Sequence, residues 1–386
     1  MDLELTDEQR ELKSTVARLL RTEYDAAARE EILRSDKGWS QEKWETFAEL
    51  GLLGLPFSEE YDGADMGFGE VAVVMEEFGR ALVLEPYLST VVLGGGLVDA
   101  AGTAQQKQDI LPAVITGEML LAFAAYEPTG RYDLTAPATT ATEAADGYTI
   151  TGEKSAVLGA ADAHTFIVSA AADGGVGLFL VDASAQGVAV DGRVQADGIR
   201  TGSVTFADTP ATRLGTGDAS ATIERVVDTA NAALAAEAVG AMEASLTMTA
   251  EYLKTREQFG APIGANQVLQ HRAAEAYATL EGAKSMALYA KLAVTGEQSA
   301  ADGEGDSKSR HRDVLAAKLI IDDASREISQ ESIQMHGGIG MTMEYPIGHY
   351  AKRLTVIPRT FDDADTVSQE LASLGGLIEP QAAELG

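Results

Sequence analysis

The stretch Tyr252-Leu253-Lys254-Thr255-Arg256-Glu257-Gln258-Phe259-Gly260-Ala261-Pro262-Ile263, followed by Gln267, decides how the rest of this 386-residue chain is read. Upstream of it, Ala230, Leu234, Ala238, Met242, Leu246 and Leu253 recur on one face of a long helix. The pattern predicts that this helix ends at Gly260, with Pro262 opposing its continuation. Arg256 and Phe259, three apart, then share its last turn. A guanidinium beside an aromatic ring there grips a diphosphate and a flat base, or else caps the helix as ordinary surface. A second stretch lies downstream, Gln334-Met335-His336-Gly337-Gly338-Ile339-Gly340. Its glycines follow a helix and no βαβ unit surrounds them, so it is not a dinucleotide fingerprint of the strand-first kind. It is either a helix-to-helix turn or a place where a ligand approaches backbone N–H groups.

Working outward, helix patterns fill residues 1–118. Thr6 before Asp7-Glu8-Gln9 reads as an N-cap, and Leu12, Val16, Leu19 and Leu20 follow at helical spacing. Pro56, Asp62-Gly63 and Gly67–Gly69 interrupt the pattern, and a helix resumes from Glu70 to about Leu82. Residues 119–218 are rich in Thr, Val and Gly. Strand-like runs there, among them Tyr148–Thr151, His164–Ser169 and Ser203–Phe206, predict a β-sandwich or barrel. After Pro210 helix returns. Residues 219–386 read as a four-helix bundle, with helices from about Asn266 to Thr295, Arg312 to Met335 and Pro346 to Val356, and a polar loop from Gly296 to Ser309. The fold class is α+β in three domains.

Composition excludes more than it selects. The chain has no cysteine, which removes disulfides, thiolate metal sites and a cysteine nucleophile. Its five histidines show no ligand-like cluster along the sequence. A formal charge of -31 opposes nucleic acid and anionic membranes as partners. No run is long enough to span a membrane, and Met1-Asp2-Leu3-Glu4-Leu5 carries charge where a signal peptide needs an apolar core. The expected compartment is cytoplasmic.

Taken together, the two quoted stretches resemble the acyl-CoA dehydrogenase family, as do Tyr126-Glu127-Pro128, the strand from Gly147 to Lys154, Glu344-Tyr345-Pro346 and the helix–β–helix order. The resemblance covers nearly the whole chain. It implies FAD as cofactor, an acyl-CoA as substrate and an electron-transfer flavoprotein-type acceptor. The implied reaction is α,β-desaturation, with a carboxylate taking the α-proton as hydride leaves the β-carbon. It further implies that Arg256, Phe259, Gln267, Gln334, Gly337 and Gly338 contact the adenine–diphosphate end of a neighbouring subunit's FAD. Tyr126 opens the loop on the flavin side.

The departures from the family pattern gather at the reactive end. Ala156 and Leu158 stand where the family has Trp and Thr against the flavin, and Asn231 where it has Arg. Matching the C-terminal base to Phe361-Asp362 makes Asp362 the candidate, after one inserted residue; Asp362, Asp363 and Asp365 read equally well as the acidic start of a helix. The resemblance is to small subunits of heteromeric acyl-CoA dehydrogenases. The expected partner is a larger dehydrogenase subunit in a heterotetramer, or a second copy of this chain. The alternatives are a catalytic chain using Asp362, a structural FAD-sharing subunit and a flavoprotein oxidase on the same fold.

Overall fold

A computed structural model describes residues 4–144, 147–296, 307–342 and 345–375. Met1 to Leu3, Glu344 and most of the expected polar loop (297–306) lie outside them.

The N-terminal region packs helices α1 (Asp7–Glu23), α2 (Ala26–Arg34), α3 (Gln41–Glu49) and α4 (Phe68–Ala81). Thr6 caps α1, as the local sequence predicts, and Gln9 reaches back to close a full capping box. Trp44, Phe47, Phe57 and Phe78 fill the core beneath them. A π-helical stretch, Leu88–Gly95, runs into α5 (Gly96–Ala101), and α6 (Ala104–Ile115) completes the region.

The middle region is a single sheet of seven strands: β1 (Leu121–Ala124), β2 (Thr140–Ala144), β3 (Gly147–Leu158), β4 (Thr165–Ala172), β5 (Gly175–Asp182), β6 (Val188–Val194) and β7 (Arg200–Leu214). Strand β5 pairs with both β4 and β7, which closes the sheet into a barrel. Ile150, Phe166, Val168, Phe179, Val204 and Phe206 fill it. The strand through Ser203–Phe206 is much longer than the sequence pattern predicts. It passes through Pro210, paired with Thr149, and ends at Leu214; the next helix starts only at Ser220. Pro210 is exposed and needs no ladder donor there.

Helix α7 (Ser220–Thr255) is the spine of the C-terminal region, flanked by α8 (Gln267–Thr295) and α9 (Ser307–His336). The expected fourth helix is short, α10 (Ile347–Val356), and a fifth follows, α11 (Ala364–Leu374).

α4 and α7 touch backbone to backbone. A Cβ at Gly79 would collide with the carbonyl of Glu237, and one at Gly240 with the carbonyl of Glu76. Only glycine permits that approach. Gly240→Ala is therefore expected to cost about 3 kcal/mol, the upper end for overpacking, read as a lowered urea midpoint. An unchanged midpoint would show that the helices can separate freely.

Candidate functional site

The two quoted stretches meet at the far end of α7. The helix stops at Thr255, five residues before the sequence predicts. Arg256 leaves it in an extended conformation, and Glu257–Gln258 pairs antiparallel with Ala261–Pro262. Phe259 and Gly260 turn this small hairpin with φ of 54° and 84°. Both central residues are left-handed, as a tight hairpin turn requires. Arg256 and Phe259 therefore do not share a helical face, and the turn geometry is what displaced them.

The Phe259 ring is fully exposed, and the Arg256 guanidinium has no partner among the described residues. Beneath the hairpin, Tyr252 stacks on His336 with ring centroids 4.5 Å apart, and Tyr345 packs against both. This aromatic trio joins the hairpin to the glycine turn, a link the sequence does not signal. Gly337 has a φ of 64°, and no atom lies within 4 Å of where a Cβ would stand at Gly337 or Gly338. Gln334 and Gln267 are exposed nearby in sequence, as are Val268, Ile339 and Met341. So many uncovered apolar side chains beside an unpaired cation mark a contact surface.

A second constellation lies between the barrel and α10. A cleft of about 570 Å³ is lined by Tyr126, Tyr132, Ala156, Leu158, Arg359 and Phe361, among others. The Tyr126 ring stacks on Phe361 at 6.4 Å and meets Tyr132 edge-on at 6.1 Å. Its hydroxyl is buried with no hydrogen-bond partner, and burial, followed by the Asp362 charge, raises its pKa. Behind it, the Lys154 ammonium is wholly buried and bonds Glu127 at 2.8 Å, the Ala125 carbonyl and Ser169. Burial opposes the Glu127 charge. Hydrogen bonds from Lys154, Thr139 and Ala138 overcome it and hold the carboxyl at about 2. The partners do not gain alike, because for Lys154 burial wins and its pKa falls. Ala156 sits in a bulge of β3, at a φ of 52°. Leu158 turns toward the core and offers no donor. Beyond Leu158, among residues including Phe78, Tyr87 and Thr360, only about 60 Å³ is open. That is far below the roughly 300–1,000 Å³ of a ligand pocket.

Asp362 follows Phe361 beside this cleft. Asp363, not Asp362, caps α11 by accepting from the Thr366 N–H, so the acidic-start reading holds for its neighbour. The Asp362 carboxyl is largely buried, and its Oδ1 has no hydrogen-bond partner. Burial raises its pKa to about 7; Lys318 and His311 pull it down while Glu370 and Asp363 push it up. His311 bridges Asp228 at 2.7 Å and Glu370 at 3.0 Å. Burial opposes its charge, but these bonds lift it to about 10. The structure thus brings His311 to Glu224 and Asp228, a grouping hidden along the sequence. It does not suit a metal ion: Arg310 already neutralises both carboxylates, and protonated His311 has no free lone pair. Asn231, one turn beyond Asp228, is buried with its Oδ1 unpaired.

Family models for the acyl-CoA dehydrogenase N-terminal, middle and C-terminal domains match residues 6–118, 122–209 and 221–358. The chain belongs to the acyl-CoA dehydrogenase family. Acyl-CoA dehydrogenase IpdE2 of Mycobacterium tuberculosis is 30% identical over 349 residues, covering 90% of this chain and 91% of the relative. Acyl-CoA dehydrogenase FadE27 of the same organism is 26% identical over 360 residues, covering 91% and 92%. Among solved structures, a variant of the Tcur3481–Tcur3483 steroid ACAD superposes with a TM-score of 0.85 at 32% identity, covering 95% of this chain and 97% of that one. The ChsE4–ChsE5 complex of Mycobacterium tuberculosis, at 24% identity and a TM-score of 0.86, shares the fold.

The family's cofactor is FAD. The hairpin and glycine turn have features that could hold its adenine–diphosphate end: a guanidinium without a partner among the described residues, an open ring face and open space above Gly337 and Gly338. The cleft fits the flavin ring poorly, since Ala156 and Leu158 offer no side-chain hydrogen bond and the Tyr126 ring lies against Phe361.

Because the folded-state pKa of Asp362 is raised, the unfolded chain releases that proton first as pH climbs. Asp362 therefore costs stability progressively between about pH 4 and pH 7. Asp362→Asn is expected to raise the urea midpoint at pH 8, with the gain vanishing toward pH 4. A gain independent of pH would contradict the raised pKa.

Proposed function

We propose that this chain is the FAD-sharing subunit of a heteromeric acyl-CoA dehydrogenase, gripping the adenine–diphosphate end of a flavin whose ring sits in a larger partner subunit. One geometric observation carries the reading. The hairpin at Arg256 and the glycine turn share no residue with the lining of this chain's own cleft. On this reading the two serve different flavins, and the hairpin's flavin belongs to a neighbour. The departures at the cleft support a neighbour of a different kind.

When bound, FAD would supply the hydride acceptor for the substrate β-carbon. On this reading Arg256 pairs with the diphosphate, the Gly337 and Gly338 N–H groups complete its cradle, and Phe259 covers the adenine. Gln267 and Gln334 add hydrogen bonds. The substrate is an acyl-CoA, of steroid side-chain or fatty-acyl type, the acceptor an electron-transfer flavoprotein-type protein and the compartment the cytoplasm. The steroid ACAD named for two gene products lends the pairing weight.

A second reading has its own observation. The unpaired Asp362 oxygen, on a carboxyl titrating near 7, suits a general base.

The two readings separate in the co-expressed complex. Arg256→Ala is expected to weaken FAD retention roughly tenfold, the worth of one charge-assisted contact, with the loss visible as flavin in the filtrate. Asp362→Asn is expected to leave turnover unchanged. Full flavin retention by Arg256→Ala would sink the sharing reading, and a collapse of turnover in Asp362→Asn would install the second.

A further inference from the structure

A third cavity, of about 490 Å³, opens between α1, α2, α4, α7 and α10, and shares no lining residue with the hairpin, the glycine turn or the cleft. Its volume lies within the roughly 300–1,000 Å³ typical of small-molecule sites. The walls divide by chemistry. Leu20, Leu82, Met248 and Pro346 form an apolar side, and Arg21, Arg29 and Arg80 a cationic one.

Two of the three carboxylates on the lining are paired with cations, and the third is held as a helix cap. Asp25 caps α2 by accepting from the Ala27 and Ala28 N–H groups. Glu30 pairs with Arg34, and Glu77 with Arg80. Two of the guanidiniums are not matched in this way. Arg21 has no partner among the described residues. Arg29 is 5% exposed and has no carboxylate within ion-pair distance. It donates to the Leu82 carbonyl at 2.8 Å, the Asp197 carbonyl at 3.1 Å and His349 Nδ1 at 3.2 Å. A guanidinium has five N–H donors, so two remain. The Asp197 carboxylate that supports its charge is itself bonded to Arg353. Because Nδ1 accepts from Arg29, the His349 proton sits on Nε2, and burial and the Arg29 charge keep the ring neutral.

In a chain with 60 acidic and 29 basic residues, spare cations facing one half-apolar cavity are out of keeping with the whole. We propose that this cavity binds a small amphipathic carboxylate, its charged head against Arg21 and Arg29 and its short apolar tail on Leu20, Leu82 and Met248. The site is separate from FAD binding and does not rest on the proposed subunit role.

The test uses calorimetric titration of the full chain with hexanoate, hexan-1-ol and inorganic phosphate. Hexanoate is expected to bind at a single site, roughly tenfold tighter than either alternative, because only it presents both head and tail. Added salt weakens it. Arg21→Ala, at an exposed position, is expected to cost roughly tenfold, and Met248→Glu to abolish binding by placing a carboxylate inside the cavity. Arg256→Ala leaves binding unchanged. Hexan-1-ol or phosphate binding as tightly as hexanoate would overturn the proposal. So would an absence of hexanoate binding, or wild-type affinity in Arg21→Ala and Met248→Glu.

Discussion

The close crossing of α4 on α7 at Gly79 and Gly240 sets the frame on which everything else hangs. With no side chain between them, the two backbones lock the N-terminal helices to the C-terminal spine. Charge then gathers around the crossing. Arg80 pairs with Glu76 and Glu77 of its own helix and reaches Glu243 of α7 across it. Nearby, the buried Arg353 grips Glu237 through two nitrogens and Asp197 through a third, tying α10, α7 and the barrel together. Their mutual attraction keeps Arg353 charged despite its burial. Such pairs are costly to break once formed, because each removal strands a buried charge.

Helix α7 then fixes where chemistry can occur. One end carries the hairpin with Arg256 and Phe259. The other anchors Asp228 and Asn231 near the network that surrounds Asp362. On the proposed reading the two ends of this rod serve different flavins. The acidic chain spends most of its cations in internal pairs. Arg256 has no partner among the described residues and sits beside exposed Phe259, Ile339 and Met341; on the proposed reading its contact is made outside this chain.

Much of the fold is legible in the sequence because its signals are local and periodic. The Thr6 cap and the bounds of α8 and α10 follow from spacing and capping alone. The strands were harder. β1 is buried at every position and β2 almost wholly exposed, so neither shows alternation. The hairpin after Thr255 has the sequence pattern of a helix end, because an Arg and a Phe three apart mimic a helical face, while the turn depends on two consecutive left-handed residues that composition does not announce. At the candidate site, motif residues are visible in sequence. The His311 bridge and the Tyr252–His336 stack are not, because each is made by residues at least 59 apart, and neither is the burial of Asp362, which depends on α9 folding back beside it.

On the proposed reading this chain grips a flavin it does not hold alone. Flavin absorbance against chain concentration measures this directly, for the isolated chain and for the purified complex with its larger partner. The account predicts a colourless isolated chain and a complex with one FAD for each pair of unlike chains. One FAD bound per copy of this chain in isolation would contradict it.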